Sequence, residues 1–202
     1  EEDHELYYNQ FSNAVLWPAF HYRLDLVNFQ RPAWEGYLRV NAAVAQKLLP
    51  LLADDDMVWV HDYHLLPFAS ELRKNGVKNR IGFFLHIPFP TPEIFNALPP
   101  HAELLEQLCD YDLLGFQTEN DRQAFVDCVA QQTTLCEVGH QQYRAWGKTF
   151  RTAVYPISIE PQEVARSASG PLPPKLAQLK AELKGVKNIF SVERLDYSKG
   201  LP

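Results

Sequence analysis

Cysteine is scarce in this 202-residue chain: Cys109, Cys128 and Cys136 are odd in number and show no C-x-x-C spacing. That argues against a disulfide or zinc framework and suits reduced thiols in a cytosol, packed as small apolar residues. Long apolar runs are missing too. Near the middle, Ile81 to Pro92 is free of Asp, Glu, Lys and Arg, but its 12 residues include a histidine and three prolines, and a membrane span needs about 20 apolar residues. Positive charge is in short supply, with 19 Lys plus Arg against 25 Asp plus Glu and a net charge of −6. A protein that neutralises the phosphates of a nucleic acid carries the opposite imbalance. No basic segment followed by an apolar one opens the chain, so no secretion signal is visible. Neither G-x-G-x-x-G nor G-x-x-x-x-G-K-[ST] occurs, which argues against a nicotinamide-type or P-loop site in this stretch. The G-x-S-x-G elbow of α/β-hydrolases is also missing.

What is there suffices for a core: 46% of residues are hydrophobic and 22% charged, near the globular average, so global disorder is excluded. The length corresponds to one large domain or one and a half, at roughly 100–200 residues per domain. The sequence opens at Glu1 without an initiator Met and stops just after the motif-like run Val192-Glu193-Arg194-Leu195-Asp196-Tyr197-Ser198-Lys199, so it reads as a piece of a longer protein.

Four apolar runs of strand length recur, at 57–60, 81–85, 113–116 and 188–192. Continuous apolar runs predict strands covered on both faces, hence a parallel sheet. Between them, Trp34, Tyr37, Leu38, Asn41, Val44, Ala45, Leu48 and Leu49 recur at helical spacing over about 33–52, which gives one apolar helix face. Pro67 suits the first turn of a helix running to Arg73 with Gly76 as its stop, and Thr118 with Asp121 resembles a capping box. Strand, helix, strand repeated predicts a doubly wound α/β fold. A further strand pair is expected at 134–138 and 149–157, with Gly139 to Gly147 between them as a hairpin or loop. The small, Gly- and Pro-rich stretch 167–174 reads as a linker. It places a domain boundary near 168, so that 1–168 is one domain and 169–202 the start of another.

In open α/β sheets ligands bind outside the carboxyl ends of the strands. There the sequence puts His61-Asp62-Tyr63-His64, His86-Ile87-Pro88-Phe89-Pro90 and Glu193 to Gly200. Asp62 suits an acceptor for ligand hydroxyls or a helix cap. His61 and His64 have an i, i+3 spacing but lack the further ligands of a zinc site, and read as structural histidines. His86 sits in a loop stiffened by three prolines, apt for a ligand contact, with Ile87 on the same wall. Arg194 and Lys199 flank a strand-to-helix turn, a natural diphosphate site or else a solvated charge run. Tyr8 and Trp17, in the aromatic-rich opening, suit either packing or sugar contacts. A glycosidase needs a spaced carboxylate pair, and at the first two strand ends only Asp62 stands out.

Five runs together, Tyr8 to Asn13 with Leu16-Trp17-Pro18, Val60 to Pro67, Phe83 to Pro90, Asp112 to Thr118 and Val192 to Gly200, closely resemble the trehalose-6-phosphate synthases of glycosyltransferase family 20, above all the bacterial ones. The resemblance covers essentially the whole chain in register. It implies a GT-B architecture of two Rossmann-like domains, the first nearly complete here and the second only begun. It implies a retaining transfer of glucose from UDP-glucose to glucose 6-phosphate without metal or cofactor. By the same resemblance Tyr8 meets the acceptor phosphate and Asp62 an acceptor hydroxyl, while Trp17 and Ile87 bias the acceptor anomer. His86 contacts the donor glucose, Arg194 and Lys199 hold the UDP diphosphate, and these three form the catalytic set. No protein nucleophile is implied. The Gly-rich donor loop and an acceptor arginine of the family would precede Glu1, and the remaining nucleotide contacts would follow Pro202. The expectation is a cytoplasmic enzyme, homo-oligomeric at full length, with no nucleic-acid or membrane partner, whose 202-residue piece alone shows no turnover. Two alternatives are a non-catalytic regulatory homologue and a transferase with another sugar-phosphate acceptor. Intact His86, Arg194 and Lys199 favour the enzyme.

Overall fold

Residues 2–20 form one continuous helical segment whose middle is wound unusually wide: α1 (Glu2–His4), a π-helix (Glu5–Leu16) and α2 (Trp17–Phe20). The Ser12 hydroxyl donates to the Tyr7 carbonyl, five residues back, at 2.8 Å. Runs of π-helix are rare and are frequent at functional sites; nothing in the apolar spacing announced this one. It packs on α3 (Arg31–Leu48), which begins with Pro32 in its first turn. Ala33, Trp34, Gly36, Tyr37, Asn41 and Ala45 are the buried residues of α3, the stripe its three-and-four spacing predicts. Val44, expected on that stripe, is exposed. Gly36 marks the close approach: a Cβ there would lie 2.5 Å from Leu6 Cβ. Gly36→Ala should therefore push the π-helix off α3 and cost about 1–3 kcal/mol by overpacking. Urea unfolding checks this, and an unchanged midpoint would refute it.

The computed structural model describes residues 2–200, in two units that divide between Pro156 and Ile157. The first unit holds a six-stranded sheet: β1 (Met57–His61), β2 (Arg80–Phe84), β3 (Leu113–Phe116), β4 (Cys136–Gly139), β5 (Gln142–Ala145) and β6 (Lys148–Val154), in the order β1-β2-β3-β6-β5-β4. β1, β2, β3 and β6 run parallel, while β5 and β4 are antiparallel. The connections are α4 (Phe68–Lys74) between β1 and β2, α5 (Pro92–Phe95) and α6 (His101–Leu108) between β2 and β3, and α7 (Glu119–Gln132) after β3. Thr118 caps α7 as expected, its side chain accepting from the Asp121 N–H. Gly76 follows α4 at φ +80°, which glycine adopts without strain.

Two expectations are corrected here. β1 and β2 are not covered on both faces: burial alternates, with Val60, Ile81 and Phe83 inside while Met57 and Trp59 are 74% and 70% exposed, whereas Leu114, Gly115 and Phe116 of β3 are buried in succession. β1 is an edge strand, so its apolar run reflects composition without a second covering layer among the described residues. Of hairpin or loop, the segment Gly139–Gly147 takes the hairpin form, but it contains β5, which lies between β4 and β6, so the two expected strands do not pair with each other. Trp146 and Gly147 both take positive φ, +48° and +73°, as a two-residue type I′ hairpin requires. The x-Gly pair between the alternating Tyr143-Ala145 and Phe150-Thr152 was the available signal.

An aromatic core fixes the loop after β2. Phe89 is buried against Phe20, Phe95, Phe116 and Phe125 at ring separations of 5.1 to 6.0 Å, and its N–H donates to Asp121 Oδ1 at 3.0 Å. Burying such a ring contributes about 1.5–3 kcal/mol. The proline-rich loop is thereby anchored three residues from His86.

The second unit contains α8 (Pro161–Ala168), α9 (Pro174–Glu182) and a 3₁₀ turn at Tyr197–Lys199. The stretch 169–173 links α8 to α9. The expected strand 188–192 does not form. Ile189 and Val192 are 99% and 95% exposed, because a strand needs a hydrogen-bonded neighbour and no strand occurs among the described residues of this unit.

Candidate functional site

Parallel pairing of β1 with β2 brings their carboxyl ends together, with His61 opposite Phe84. The residues that follow, Asp62 to His64 and His86 with Ile87, thus share one edge. Buried side chains hold the first of these turns from below. Tyr37 Oη donates to the Tyr63 carbonyl at 2.6 Å and accepts from the Leu66 N–H at 3.1 Å. Asn41 Nδ2 donates to the His64 carbonyl at 3.2 Å, and Tyr111 Oη donates to the Leu65 carbonyl at 2.7 Å.

That anchoring sustains a strained residue. Asp62 has φ +70° and ψ 169°, a region essentially reserved for glycine and costing other residues on the order of 1–3 kcal/mol. Its N–H extends the ladder to the Phe84 carbonyl at 2.9 Å, and its Oδ1 faces the His86 N–H at 3.4 Å. The cap reading fails, since the Asp62 side chain caps no helix. Strain in a carboxylate at a strand end, with no capping duty, points to function.

The π-helix packs against this turn. The Tyr8 ring stacks on His64 with centroids 5.4 Å apart and planes 11° apart, and Tyr8 remains exposed. Tyr7 stacks on Tyr37, and its phenol is pushed up to about 12 by burial, with Tyr8 adding to the effect. Burial also lowers the His64 imidazole from its ordinary value of 6.5, against the opposing pull of Asp62, so His64 favours the neutral ring. Trp17 lies against His21 and Tyr63, and Tyr63 Oη donates to Asn13 Oδ1 at 3.0 Å. Trp17 Nε1 and His64 Nε2 are buried without a hydrogen-bond partner among the described residues. Such orphaned groups call for a water or a ligand. Ile87 is buried in the core at the strand end.

Tyr8, Trp17, Asp62, His86 and Ile87 all belong to the first unit, on the π-helix, α2 and the ends of β1 and β2. His61 and His64 do not converge: His61 Nδ1 pairs with His86 Nε2 at 2.9 Å, and His64 stacks among tyrosines. Arg194 and Lys199 lie in the second unit, both exposed, with Gly200 at φ +67° and the Asp196 side chain accepting from the Ser198 N–H. Two thiols, Cys109 and Cys128, are buried and free, with burial raising both; Cys136 is exposed on β4, against the expectation of a core position. Sequence reasoning passed over Asn13 and Tyr63, whose bond spans 50 residues and has no local signal.

One carboxylate, imidazoles, phenols and an indole make a surface that both donates and accepts hydrogen bonds and offers ring faces, as a hydroxyl-rich ligand requires. With the sheet, this defines an α/β domain of Rossmann type, a class whose ligand sites lie outside the strand ends. Residues 1–202 match glycosyltransferase family 20, and the chain belongs to that family. It is 79% identical over 202 residues to the trehalose-6-phosphate synthase of Klebsiella pneumoniae subsp. pneumoniae, covering all of this chain and 43% of that relative. Among solved structures, one of the E. coli protein bound with UDP-2-fluoro glucose matches 99% of this chain and 44% of its own at 76% identity and TM-score 0.96. An alpha,alpha-trehalose-phosphate synthase from Burkholderia xenovorans in complex with glucose-6-phosphate matches 99% and 45% at 52% identity and TM-score 0.93. The fold is that of a GT-B glycosyltransferase. The chain spans less than half the length of these proteins, and no helix among the described residues is long and apolar enough to cross a membrane.

Proposed function

We propose that this chain is part of a longer retaining glucosyltransferase that moves glucose from UDP-glucose to the anomeric hydroxyl of glucose 6-phosphate, giving trehalose 6-phosphate and UDP. The observation that carries the reading is the edge where strained Asp62, His86 and the orphaned Trp17 and His64 nitrogens gather, in a chain 79% identical to a named synthase. In this reading residues 1–168 form the acceptor side and 169–202 begin the nucleotide-sugar side. The Tyr8 phenol meets the acceptor phosphate, Asp62 accepts from a glucose hydroxyl, and Trp17 with Ile87 selects the anomer. His86 hydrogen-bonds the donor hexose.

The chemistry needs no protein nucleophile. The bond from C1 of the donor to the diphosphate oxygen breaks, and the acceptor oxygen bonds C1 on the same face. The acceptor proton passes to the departing phosphate oxygen. Arg194 and Lys199 stabilise the charge that grows on UDP, a contribution largest where the cations are already oriented. We place the enzyme in the cytoplasm, in keeping with its free buried thiols, and as a homo-oligomer.

The test is UDP release by the full-length protein with glucose 6-phosphate and fructose 6-phosphate in parallel. Turnover with glucose 6-phosphate is expected. Preference for fructose 6-phosphate would overturn the acceptor, and no release with either would overturn the transferase.

A further inference from the structure

His61, at the end of β1, has no part in the reaction as described above, yet its Nδ1 lies 2.9 Å from Nε2 of His86, with ring centroids 5.2 Å apart. Trp59 packs on the His61 ring at 4.4 Å, and Phe84 meets the His86 ring edge-on at 4.9 Å and 78°. The His86 backbone N–H faces Asp62 Oδ1. Register is what delivers both imidazoles to one place: His61 pairs with Phe84, two residues before His86.

A bond between two imidazole nitrogens holds one hydrogen, so one ring donates and the other accepts. The two nitrogens of a neutral imidazole have opposite roles, and occupying one assigns the other. His86 commits Nε2 to His61, so in a neutral His86 ring Nδ1 takes the role opposite to the one Nε2 takes in that bond. Without His61 the His86 ring would be free to rotate about its own axis, since the Phe84 contact supplies no directional bond.

We propose that His61 is a positioning residue for the donor sugar: its bond to His86 Nε2 fixes the ring plane with which His86 Nδ1 meets a hydroxyl of the donor hexose, and ties the role of Nδ1 to that of Nε2. This rests on the glucosyl-transfer reading and adds a residue to it. The relation resembles that of metal-bound histidines, whose outer nitrogen is set by a neighbouring acceptor.

The experiment uses the full-length protein with UDP-glucose and glucose 6-phosphate, comparing wild type, His61→Leu, His61→Gln, His86→Ala and the double variant His61→Leu/His86→Ala. His61→Leu should lower kcat/KM for UDP-glucose about two- to tenfold, the worth of one neutral hydrogen bond, and leave KM for glucose 6-phosphate unchanged. His61→Gln, whose amide again offers a donor and an acceptor, should recover most of the loss, and His61→Leu should add nothing once His86 is alanine. Because His61 is exposed, neither replacement empties the core. Activity of His61→Leu within about twofold of wild type, equal impairment of the Leu and Gln variants, or additivity with His86→Ala would each overturn the proposal. A wild type that transfers no glucose sinks the transferase reading and this one with it, whereas an active wild type with an indifferent His61 sinks only this one.

Discussion

Asp62→Gly is expected to make the protein more stable and nearly inactive. At φ +70° and ψ 169° the aspartate occupies backbone space that glycine enters freely, and relief of that strain is worth about 1–3 kcal/mol. Against this stands the greater freedom of glycine in the unfolded chain, about 0.5–1 kcal/mol. The net gain is about 1 kcal/mol, read as a higher urea midpoint with an unchanged slope. The lost side chain matters only to its ligand, because Asp62 caps no helix and its one backbone contact, to the His86 N–H, is long at 3.4 Å. Removing a charged acceptor from a sugar hydroxyl costs about 1.5–3 kcal/mol, so kcat/KM for glucose 6-phosphate should fall about tenfold to a hundredfold. Asp62→Asn, which keeps the shape and loses the charge, should show the kinetic loss without the gain in stability. A destabilised Asp62→Gly would refute the strain, and a fully active one would refute the role in acceptor binding.

Arg194→Ala carries the second large effect. Its guanidinium is exposed beside a turn in which the Asp196 carboxylate is engaged with the Ser198 N–H. If the guanidinium holds the UDP diphosphate, truncation in the full-length protein removes one charge-assisted contact, and turnover should fall about tenfold to a hundredfold. Arg194→Lys keeps the charge and loses the planar fork, and should recover only part of it. Stability should not move, since an exposed arginine contributes little to folding. An unchanged rate in Arg194→Ala would remove the diphosphate role.

Much of the fold was legible because its signals are local. Thr118 with Asp121 announced the start of α7, Pro67 and Gly76 bracketed α4, and the three-and-four spacing from Trp34 to Ala45 marked the inner face of α3. Strand positions were equally readable in β1, β2 and β3. The run at 188–192 has the same composition and makes no strand, which shows the limit of that signal: composition states a preference, and a ladder needs a neighbour. The same limit explains β1, whose apolar run suggested cover on both sides while Trp59 and Met57 stand exposed at an edge.

At the site, residue types and their place after the strands followed from sequence order alone. Asp62 and His86 could be singled out because parallel strands end on one side of a sheet, and the aromatic opening by its rings with polar tips. Sequence order was also enough to bring Arg194 and Lys199 within five residues of each other, and the five long motifs were enough to identify the family. The π-helical winding of residues 5–16, the positive φ of Asp62, the pairing of His61 with His86 and the bond from Tyr63 to Asn13 had no local signature. Each depends on segments far apart in the chain meeting at a fixed register. Local propensities act over a few residues, whereas strain, orphaned nitrogens and a hydrogen shared between two imidazoles arise only when packing holds distant groups at bonding distance.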